Sequence, residues 1–391
     1  MAKVQGTCSE KFNSVKQLLE EQIASGQELG ASIAVNIDGE EVVDIWGGYK
    51  DVEHKATWDK DTIVNVWSST KTVSALAVLM LIDQGKLDAF EKVSKYWPEF
   101  AENGKENVEV RHFLSHTSGV SGWDQPITIE EVCDVKISTE KLAKQAPWWE
   151  PGTASGYHAL NMGHLLGELV RRVTGKSLTQ FVAEEIAAPL NADFQIGAAE
   201  NDWGRIADVV APPPSPVDFN SLPKDSVTFK TFGALQTKAE TCLTPMWRKA
   251  EIGAANGHAN ARSLNRTASV VSLGGTVNGK QFLSQKTIDM IFQEQSNGTD
   301  LAIGLPIRYG IGYGLKGEGP AEWLADGKVC FWGGWGGSIV IMDVGRRLTI
   351  TYVMNKMGAG TMGNERTKAY VDKVYEALGV QSVGTTSVPA I

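Results

Sequence analysis

A serine and a lysine lie three residues apart at the start of an apolar run, at Ser68 and Lys71 within residues 67–72. If this run is helical, the two side chains share one face, about 5–6 Å apart at Cβ. A lysine amine that deprotonates easily can take the serine proton and make the hydroxyl a nucleophile. The N-terminal end of a helix carries a partial positive charge, which disfavours a protonated lysine there. Its backbone N–H groups also point towards any oxyanion that forms. The spacing therefore indicates acyl transfer through Ser68, and simple helix capping is the alternative.

The Ser-x-x-Lys spacing alone is a weak signal, because it recurs at residues 138–141 and 221–224. Ser138 has the position of an ordinary helix cap, and Ser221 is followed by Pro223, so neither starts a long apolar helix.

A tyrosine is the second candidate for proton transfer. Tyr157 follows the turn-rich segment 150–156, Glu-Pro-Gly-Thr-Ala-Ser-Gly, and precedes a predicted helix. A loop could place its phenol beside Lys71, where it would act as a base towards Ser68 and as an acid towards a leaving group. A buried tyrosine with a satisfied hydroxyl is the alternative interpretation.

The third candidate is a glycine-rich segment, residues 331–338, with glycine at four of the five positions 333–337. Glycines let a backbone approach a ligand closely and present its N–H groups. A bulge at the start of a strand is compatible with the same pattern.

Periodic apolar residues predict the elements that position these groups. Helices are expected over residues 12–23, 72–82, 160–172 and 366–378. Two strand pairs are expected, one over residues 31–36 and 41–46 around Asp38-Gly39 and one over 338–342 and 348–354. A hairpin near each end of the chain, with helices between, predicts an α/β (α+β) fold. Its single antiparallel sheet would be flanked by helices and interrupted by a mostly helical insertion.

This pattern predicts two domains. Residues 1–62 and 256–391 would form a discontinuous sheet domain, residues 63–255 would form the helical domain, and the active site would lie at their seam. Residues 200–256 include the proline-rich stretch 211–216 and are expected to be an irregular surface excursion that helps to wall a pocket.

In order along the chain, these elements resemble the serine β-lactamase and penicillin-recognising fold. They are most similar to its class C β-lactamase-like esterases and transesterases, the family VIII carboxylesterase group. The resemblance extends from about residue 30 to residue 357 and includes the segments 114–119, 150–153, 173–178 and 309–314. It implies a β-lactamase/transpeptidase-like fold.

The resemblance also implies roles for the candidate residues. Ser68 matches the acyl-accepting nucleophile, Lys71 its partner, and Tyr157 the tyrosine of the second motif. The backbone N–H groups of Ser68 and Trp335 would form the oxyanion hole. The remaining predicted substrate-binding residues are Trp332, Gly333, Gly334, Trp123 and Trp148.

Two departures from the β-lactamase pattern argue against antibiotic turnover. The second motif reads Tyr157-His158-Ala159 and lacks the usual asparagine, and Trp332 replaces the lysine of the third motif. Ester chemistry needs only the nucleophile, its base and the oxyanion hole, and Trp332 suits an uncharged, fairly apolar acyl group. We therefore expect a serine carboxylesterase for small-molecule esters with weak β-lactamase activity. An acyltransferase and a non-catalytic sensor or scaffold are the alternatives.

Two other hydrolase types are weaker alternatives. His116 or His258 could serve a Ser-His-Asp site, although the chain has no Gly-x-Ser-x-Gly elbow. His112 and His116 have the spacing of a zinc site, but Phe113 occupies the position of the glutamate in His-Glu-x-x-His.

Composition limits the partners. The 391 residues carry 37 basic and 46 acidic side chains, a net charge of −9, which disfavours nucleic acid and anionic lipid. The most apolar stretch, residues 73–82, is too short to span a membrane. The cysteines are widely spaced, without a zinc or disulfide pattern, at positions 8, 133, 242 and 330. We expect a cytoplasmic protein without a cofactor or metal, whose partner is a small-molecule ester or acyl donor.

Overall fold

A computed structural model describes residues 3–380. The strands, in chain order, are β1 (Gln5–Cys8), β2 (Gly30–Ile37), β3 (Glu40–Gly48), β4 (Val64–Asn65), β5 (Gln195–Ile196), β6 (Gly257–Ala259), β7 (Thr276–Val277), β8 (Lys280–Gln281), β9 (Ser296–Thr299), β10 (Pro306–Tyr309), β11 (Gly314–Leu315), β12 (Val329–Gly333), β13 (Ile339–Asp343) and β14 (Leu348–Met354).

The α-helices are α1 (Asn13–Ala24), α2 (Thr70–Asp83), α3 (Val110–Leu114), α4 (Ile129–Cys133), α5 (Val135–Lys144), α6 (Met162–Thr174), α7 (Leu178–Phe181), α8 (Pro245–Lys249), α9 (Ala261–Ser272), α10 (Gln285–Ile291) and α11 (Glu365–Ala377). Within residues 3–380, none of these helices has the length and apolar character needed to cross a bilayer.

A nine-stranded antiparallel sheet joins the two ends of the chain, in the order β1-β3-β2-β14-β13-β12-β11-β10-β9. The junction is the pairing of β2 with β14, where Ala31 lies opposite Met354. The β2–β3 hairpin turns at Asp38 and Gly39, whose φ angles are 52° and 94°. Asp-Gly favours this turn because both central residues need positive φ. The predicted fold class, one antiparallel sheet built from both ends, is confirmed.

Helices cover both faces of the sheet centre, which explains why every residue of β13 and β14 is buried. On one face, α9 packs across β2, β13 and β14, and Asn265 donates to the carbonyls of Ala34 and Thr349. On the other face, the ring of Tyr370 from α11 lies 5.0 Å from that of Tyr352.

The helix that carries the candidate lysine lies at the centre of the helical part. Nearly every residue of α2 is buried, as expected for a helix that is apolar on all sides. It packs against α6, which ends at Gly175 with a φ of 74°. The four helices predicted from apolar spacing are observed, with ends shifted by up to two residues.

Residues 63–255 also contribute to a small sheet in which β6 lies between β4 and β5. The expected irregular excursion over residues 200–256 contains one α-helix, α8. The Thr244 side chain caps this helix, Pro245 begins it, and Trp247 anchors it in the core with a fully buried side chain. The exact division into domains at residues 62 and 256 stays a prediction.

Candidate active site

The turn that precedes α2 carries Ser68. A short 3₁₀ turn, Trp67–Ser69, leads directly into α2 and places Lys71 one helical turn beyond Ser68. The Lys71 Nζ lies 3.1 Å from the Ser68 Oγ. Ser68 is 9% exposed, so its hydroxyl is buried beside the amine. The two side chains that the sequence places on one helix face are therefore in direct contact.

The loop before α6 delivers the third group. The Tyr157 hydroxyl donates to the Ser68 Oγ at 2.7 Å, and the Lys71 Nζ lies 4.7 Å from the tyrosine ring centroid. The indole N–H of Trp332, on β12, donates to the Tyr157 hydroxyl oxygen at 3.3 Å. The structure thus brings together four of the residues singled out from sequence.

Lys71 has the surroundings of a neutral amine. Its Nζ donates to the carbonyls of Ala159 at 2.7 Å and Ala254 at 2.9 Å. Burial lowers the pKa of Lys71 well below its ordinary value of 10.5. A neutral amine has two N–H groups and one lone pair, so the two carbonyls use its donors and leave the lone pair for the Ser68 proton. The arrangement favours Lys71 as the proton acceptor.

Tyr157 has the opposite character. Burial, aided by the nearby Asp300 carboxyl, raises the pKa of the Tyr157 phenol above its ordinary value of 10. The phenol is therefore protonated near neutral pH and donates to Ser68. This favours Tyr157 as a proton donor and gives no support to the predicted additional role as a base towards Ser68.

The glycine-rich segment is fastened to the turn that carries Ser68. The Ser338 hydroxyl lies 3.0 Å from that of Ser69 and donates to the Val66 carbonyl at 3.1 Å. A Cβ on Gly334 would clash with the same Val66 carbonyl oxygen. Glycine at this position therefore allows β12 and the loop after it to approach the turn closely.

Two backbone N–H groups are candidates for the oxyanion hole. Ser68 lies in the first turn of a helix, where N–H groups lack intrahelical partners. Across residues 3–380, the Trp335 N–H meets no hydrogen-bond acceptor, whereas the neighbouring N–H groups of Gly334 and Gly336 donate to Ser338 and Gly360. These observations are compatible with the predicted oxyanion hole.

Sequence reasoning missed the carboxylate that holds Tyr157 in place. The Asp300 Oδ1 accepts the backbone N–H groups of Tyr157, Ala302 and Ile303, each at 3.0 Å. The Tyr309 hydroxyl donates to Oδ2 at 3.3 Å. Asp300 follows β9 and is fully buried. No local pattern could identify it, because its role depends on a contact 143 residues away in the chain.

The candidate histidines have structural partners. His116 Nδ1 accepts the His158 N–H at 3.0 Å, and its ring lies 5.1 Å from Tyr157. His258 Nδ1 donates to the Asn256 carbonyl at 2.9 Å. Burial lowers the pKa of both His116 and His258. Within the described residues neither ring hydrogen-bonds Ser68, so the Ser-His-Asp alternative has no geometric support.

The zinc alternative likewise has no geometric support. His112 Nδ1 accepts the Glu109 N–H at 3.1 Å, as part of the cap of α3. His116 Nδ1 is engaged by His158. Among residues 3–380, no three side chains of His, Cys, Asp or Glu are grouped as a metal site requires.

The predicted substrate-binding tryptophans have different surroundings. Trp332 contacts Tyr157, whereas the contacts of Trp123 are with two helices. Its indole donates to the Ser138 carbonyl at 3.2 Å, and its ring lies 5.1 Å from His164, so it is enclosed between α5 and α6. Trp123 is 4% exposed and packs in the core, and these contacts give no support to its predicted role in substrate binding.

Trp148 packs beside a turn of the expected excursion, and its predicted role in substrate binding stays a prediction. It is half-buried, its indole donates to Asp124 at 2.7 Å, and the Lys230 Nζ lies 5.4 Å from its ring. Lys230 belongs to a single π-helical turn, Phe229–Gly233. The Thr231 hydroxyl lies 2.8 Å from that of Ser121. The Phe232 ring of the same turn lies 6.4 Å from that of Tyr157, so the turn covers one side of the site, as expected for part of the excursion.

Comparisons with known proteins agree on one family. A family model described as Beta-lactamase matches residues 15–374. The chain is 31% identical over 327 residues to the Esterase/beta-lactamase LipL of Mycobacterium tuberculosis, an alignment that covers 80% of this chain and 74% of LipL. A family VIII carboxylesterase structure is similar, with a TM-score of 0.89 and 34% identity over 96% of this chain and 100% of the other. A penicillin-binding protein homologue from Caulobacter crescentus has a TM-score of 0.88 and 33% identity, with the same coverage.

Proposed function

This chain belongs to the beta-lactamase family and is a serine hydrolase, and from that premise we propose that it is a carboxylesterase acting through an acyl-enzyme on Ser68. One observation carries the proposal: the Ser68 hydroxyl contacts both the Lys71 amine, at 3.1 Å, and the Tyr157 phenol, at 2.7 Å. A nucleophile in contact with a base and an acid has what acyl transfer requires.

Acylation begins at the ester carbonyl. The Ser68 Oγ bonds to the carbonyl carbon while its proton passes to the neutral Lys71 amine, and the carbonyl oxygen becomes an oxyanion. The N–H groups of Ser68 and Trp335 stabilise this oxyanion, a contribution of about 3–4 kcal/mol for each donor.

The intermediate then collapses. The bond between the carbonyl carbon and the alkoxy oxygen breaks, and the Tyr157 phenol gives its proton to the departing alkoxide. The Lys71 ammonium returns a proton to Tyr157. Water then attacks the acyl-enzyme, loses a proton to Lys71, and releases the carboxylic acid as Ser68 regains its own proton. The net reaction is hydrolysis of one ester bond.

The surroundings of Tyr157 favour a neutral, fairly apolar substrate. The donor to its hydroxyl is the uncharged Trp332 indole rather than an ammonium group that could pair with a substrate carboxylate. The Phe232 ring lies 6.4 Å from Tyr157, and the Phe219 ring lies 6.0 Å from Phe232. Because Tyr157 protonates the leaving group, this aromatic surface lies on the side of the ester alcohol.

Acyl transfer to an alcohol is the second candidate function. The Ser68 side chain is largely enclosed, and the half-buried turn at residues 229–233 covers one side of the site. Limited access for water favours an alcohol acceptor over hydrolysis.

We also retain the cytoplasm as the proposed location and a small-molecule ester, rather than nucleic acid or a membrane, as the proposed partner.

A panel of esters and a cephalosporin tests the proposed substrate class. We expect kcat/KM for neutral aryl esters to exceed that for the cephalosporin by about 10²-fold or more, since the uncharged Trp332 indole that contacts Tyr157 cannot make the charge-assisted contacts that bind a carboxylate. Rates would be measured with and without an alcohol acceptor, and products read by mass. Equal or faster cephalosporin turnover would contradict the proposal, and an ester product from the added alcohol would identify an acyltransferase.

The matched variants for this panel are Phe232→Ala and Phe90→Ala. Phe232→Ala should lower the preference for a naphthyl over a methyl ester several-fold, in line with lost apolar contact of about 25 cal/mol per Å². Phe90 is 51% exposed and lies against Arg111, so Phe90→Ala should leave that preference unchanged.

A further inference from the structure

The residue before the nucleophile has an unusual backbone conformation. Trp67 has a φ of 48°, in the left-handed region that bulky residues rarely adopt. Such a conformation persists only where the surrounding structure holds it, and it is concentrated at functional sites. Since Trp67 directly precedes Ser68, whatever holds Trp67 also sets the direction of the Ser68 N–H.

Aromatic packing holds Trp67. Its side chain is 4% exposed, and its ring lies 5.6 Å from Trp247 and 5.0 Å from Trp335. Throughout residues 3–380, the Trp67 indole N–H has no hydrogen-bond partner. The side chain therefore acts through packing rather than through a polar contact.

One side of this packing is fixed. The Trp247 indole donates to the Asn65 side-chain oxygen at 2.9 Å, and the Asn256 amide donates to the Trp247 carbonyl at 2.9 Å. Trp247 is fully buried. It provides a rigid surface against which Trp67 is pressed.

The other side is the loop that carries the second oxyanion donor. Trp335 is flanked by Gly334, Gly336 and Gly337, which have no side chains to pack. Gly336 and Gly337 have φ angles of 96° and 116°. The Trp335 ring therefore provides the main apolar contact of residues 334–337. It contacts Trp67 in an edge-to-face arrangement, with an angle of 70° between the ring planes.

We propose that Trp67 is a positioning residue whose ring, packed between Trp247 and Trp335, sets the spacing of the Ser68 and Trp335 N–H groups so that both reach one oxyanion. The inference rests on the proposed acyl transfer at Ser68. Because the oxyanion develops in the transition state, loss of this spacing lowers kcat and leaves substrate binding largely intact.

Three substitutions at position 67 distinguish the effect of the aromatic ring on kcat from the effect of the backbone conformation. Trp67→Ala should lower kcat by about 10²-fold with KM changed by less than about threefold, as for a lost oxyanion donor. Trp67→Phe, which keeps an aromatic ring, should retain kcat within about fivefold. Trp67→Gly should fall between the two, because glycine adopts a φ of 48° freely but lacks the ring.

An alkyl boronic acid reports on the oxyanion hole directly, because it adds to the serine oxygen and becomes tetrahedral. Across the three variants, its inhibition constant should rise in proportion to the loss of kcat/KM. Labelling with a fluorophosphonate would count the folded, reactive serines in each sample, so that misfolded protein does not enter the comparison.

Trp97→Ala is the matched control. Trp97 is equally enclosed, at 2% exposed, but packs on Phe100. This control should lower the melting temperature without changing kcat per labelled serine. The inference is overturned if Trp67→Ala keeps kcat within about threefold, or if kcat falls while boronic acid affinity stays unchanged. Should Ser68→Ala retain full activity, the proposed function itself fails, which is a distinguishable result.

Discussion

Ser68→Ala is expected to lower kcat for an aryl ester by about 10⁶-fold, the loss seen when a serine hydrolase loses its nucleophile. Without the Oγ no acyl-enzyme forms, and only the oxyanion hole and substrate binding remain. The fold should persist, because Lys71 keeps the carbonyls of Ala159 and Ala254 as acceptors. The cost is about 1–3 kcal/mol for the Tyr157 hydroxyl, which loses its acceptor. Steady-state kinetics and thermal unfolding would measure the two effects.

Ser138→Ala is the control for this substitution. Ser138 has the same spacing to a lysine, Lys141, and is also buried, but its hydroxyl donates to the Glu131 carbonyl at 3.0 Å. Its replacement should leave kcat unchanged. If Ser68→Ala were as active as the unaltered protein, Ser68 would not be the nucleophile.

Lys71→Met is expected to have the second largest effect, a loss of kcat/KM of about 10²–10⁴-fold, the contribution of a general base. Methionine has a similar length and no amine. The lowered pKa also predicts the direction in which kcat/KM changes with pH. Burial lowers the Lys71 pKa, so the amine is a base above that lowered pKa and a cation below it. In the unaltered protein kcat/KM should fall as pH falls through this value, and Lys71→Met should lack that acid limb.

Lys71→Arg distinguishes a base from a charge, because arginine stays protonated at every accessible pH. We expect it to be as impaired as Lys71→Met. Substantial activity in Lys71→Arg, or an unchanged acid limb in Lys71→Met, would assign the proton transfer to another group.

Local patterns predicted the parts of this protein that depend on near neighbours in sequence. The contact between Ser68 and Lys71 follows from the pitch of a helix, and the hairpin at Asp38 and Gly39 follows from the φ angles that its turn requires. Tyr157 was identified because a turn-rich loop precedes a helix.

The parts that sequence reasoning missed depend on tertiary packing. Asp300 acts through a backbone N–H in a distant loop, and Trp67 acts through rings that come from residues 247 and 335. Trp123 lies on a segment that the sequence places near the site, yet its ring packs on His164. The sequence around a single aromatic residue does not indicate whether its ring faces the core or the active site. This choice can be made only once the fold is known.

The proposed chemistry is a covalent bond between the acyl group and the Ser68 Oγ, and mass spectrometry of a quenched reaction detects it directly. With a slowly hydrolysed ester, the intact protein should gain the mass of one acyl group, and peptide mapping should place it on Ser68. The adduct should be absent from Ser68→Ala. Turnover with no adduct at any quench time, or an adduct on a different residue, would contradict the mechanism.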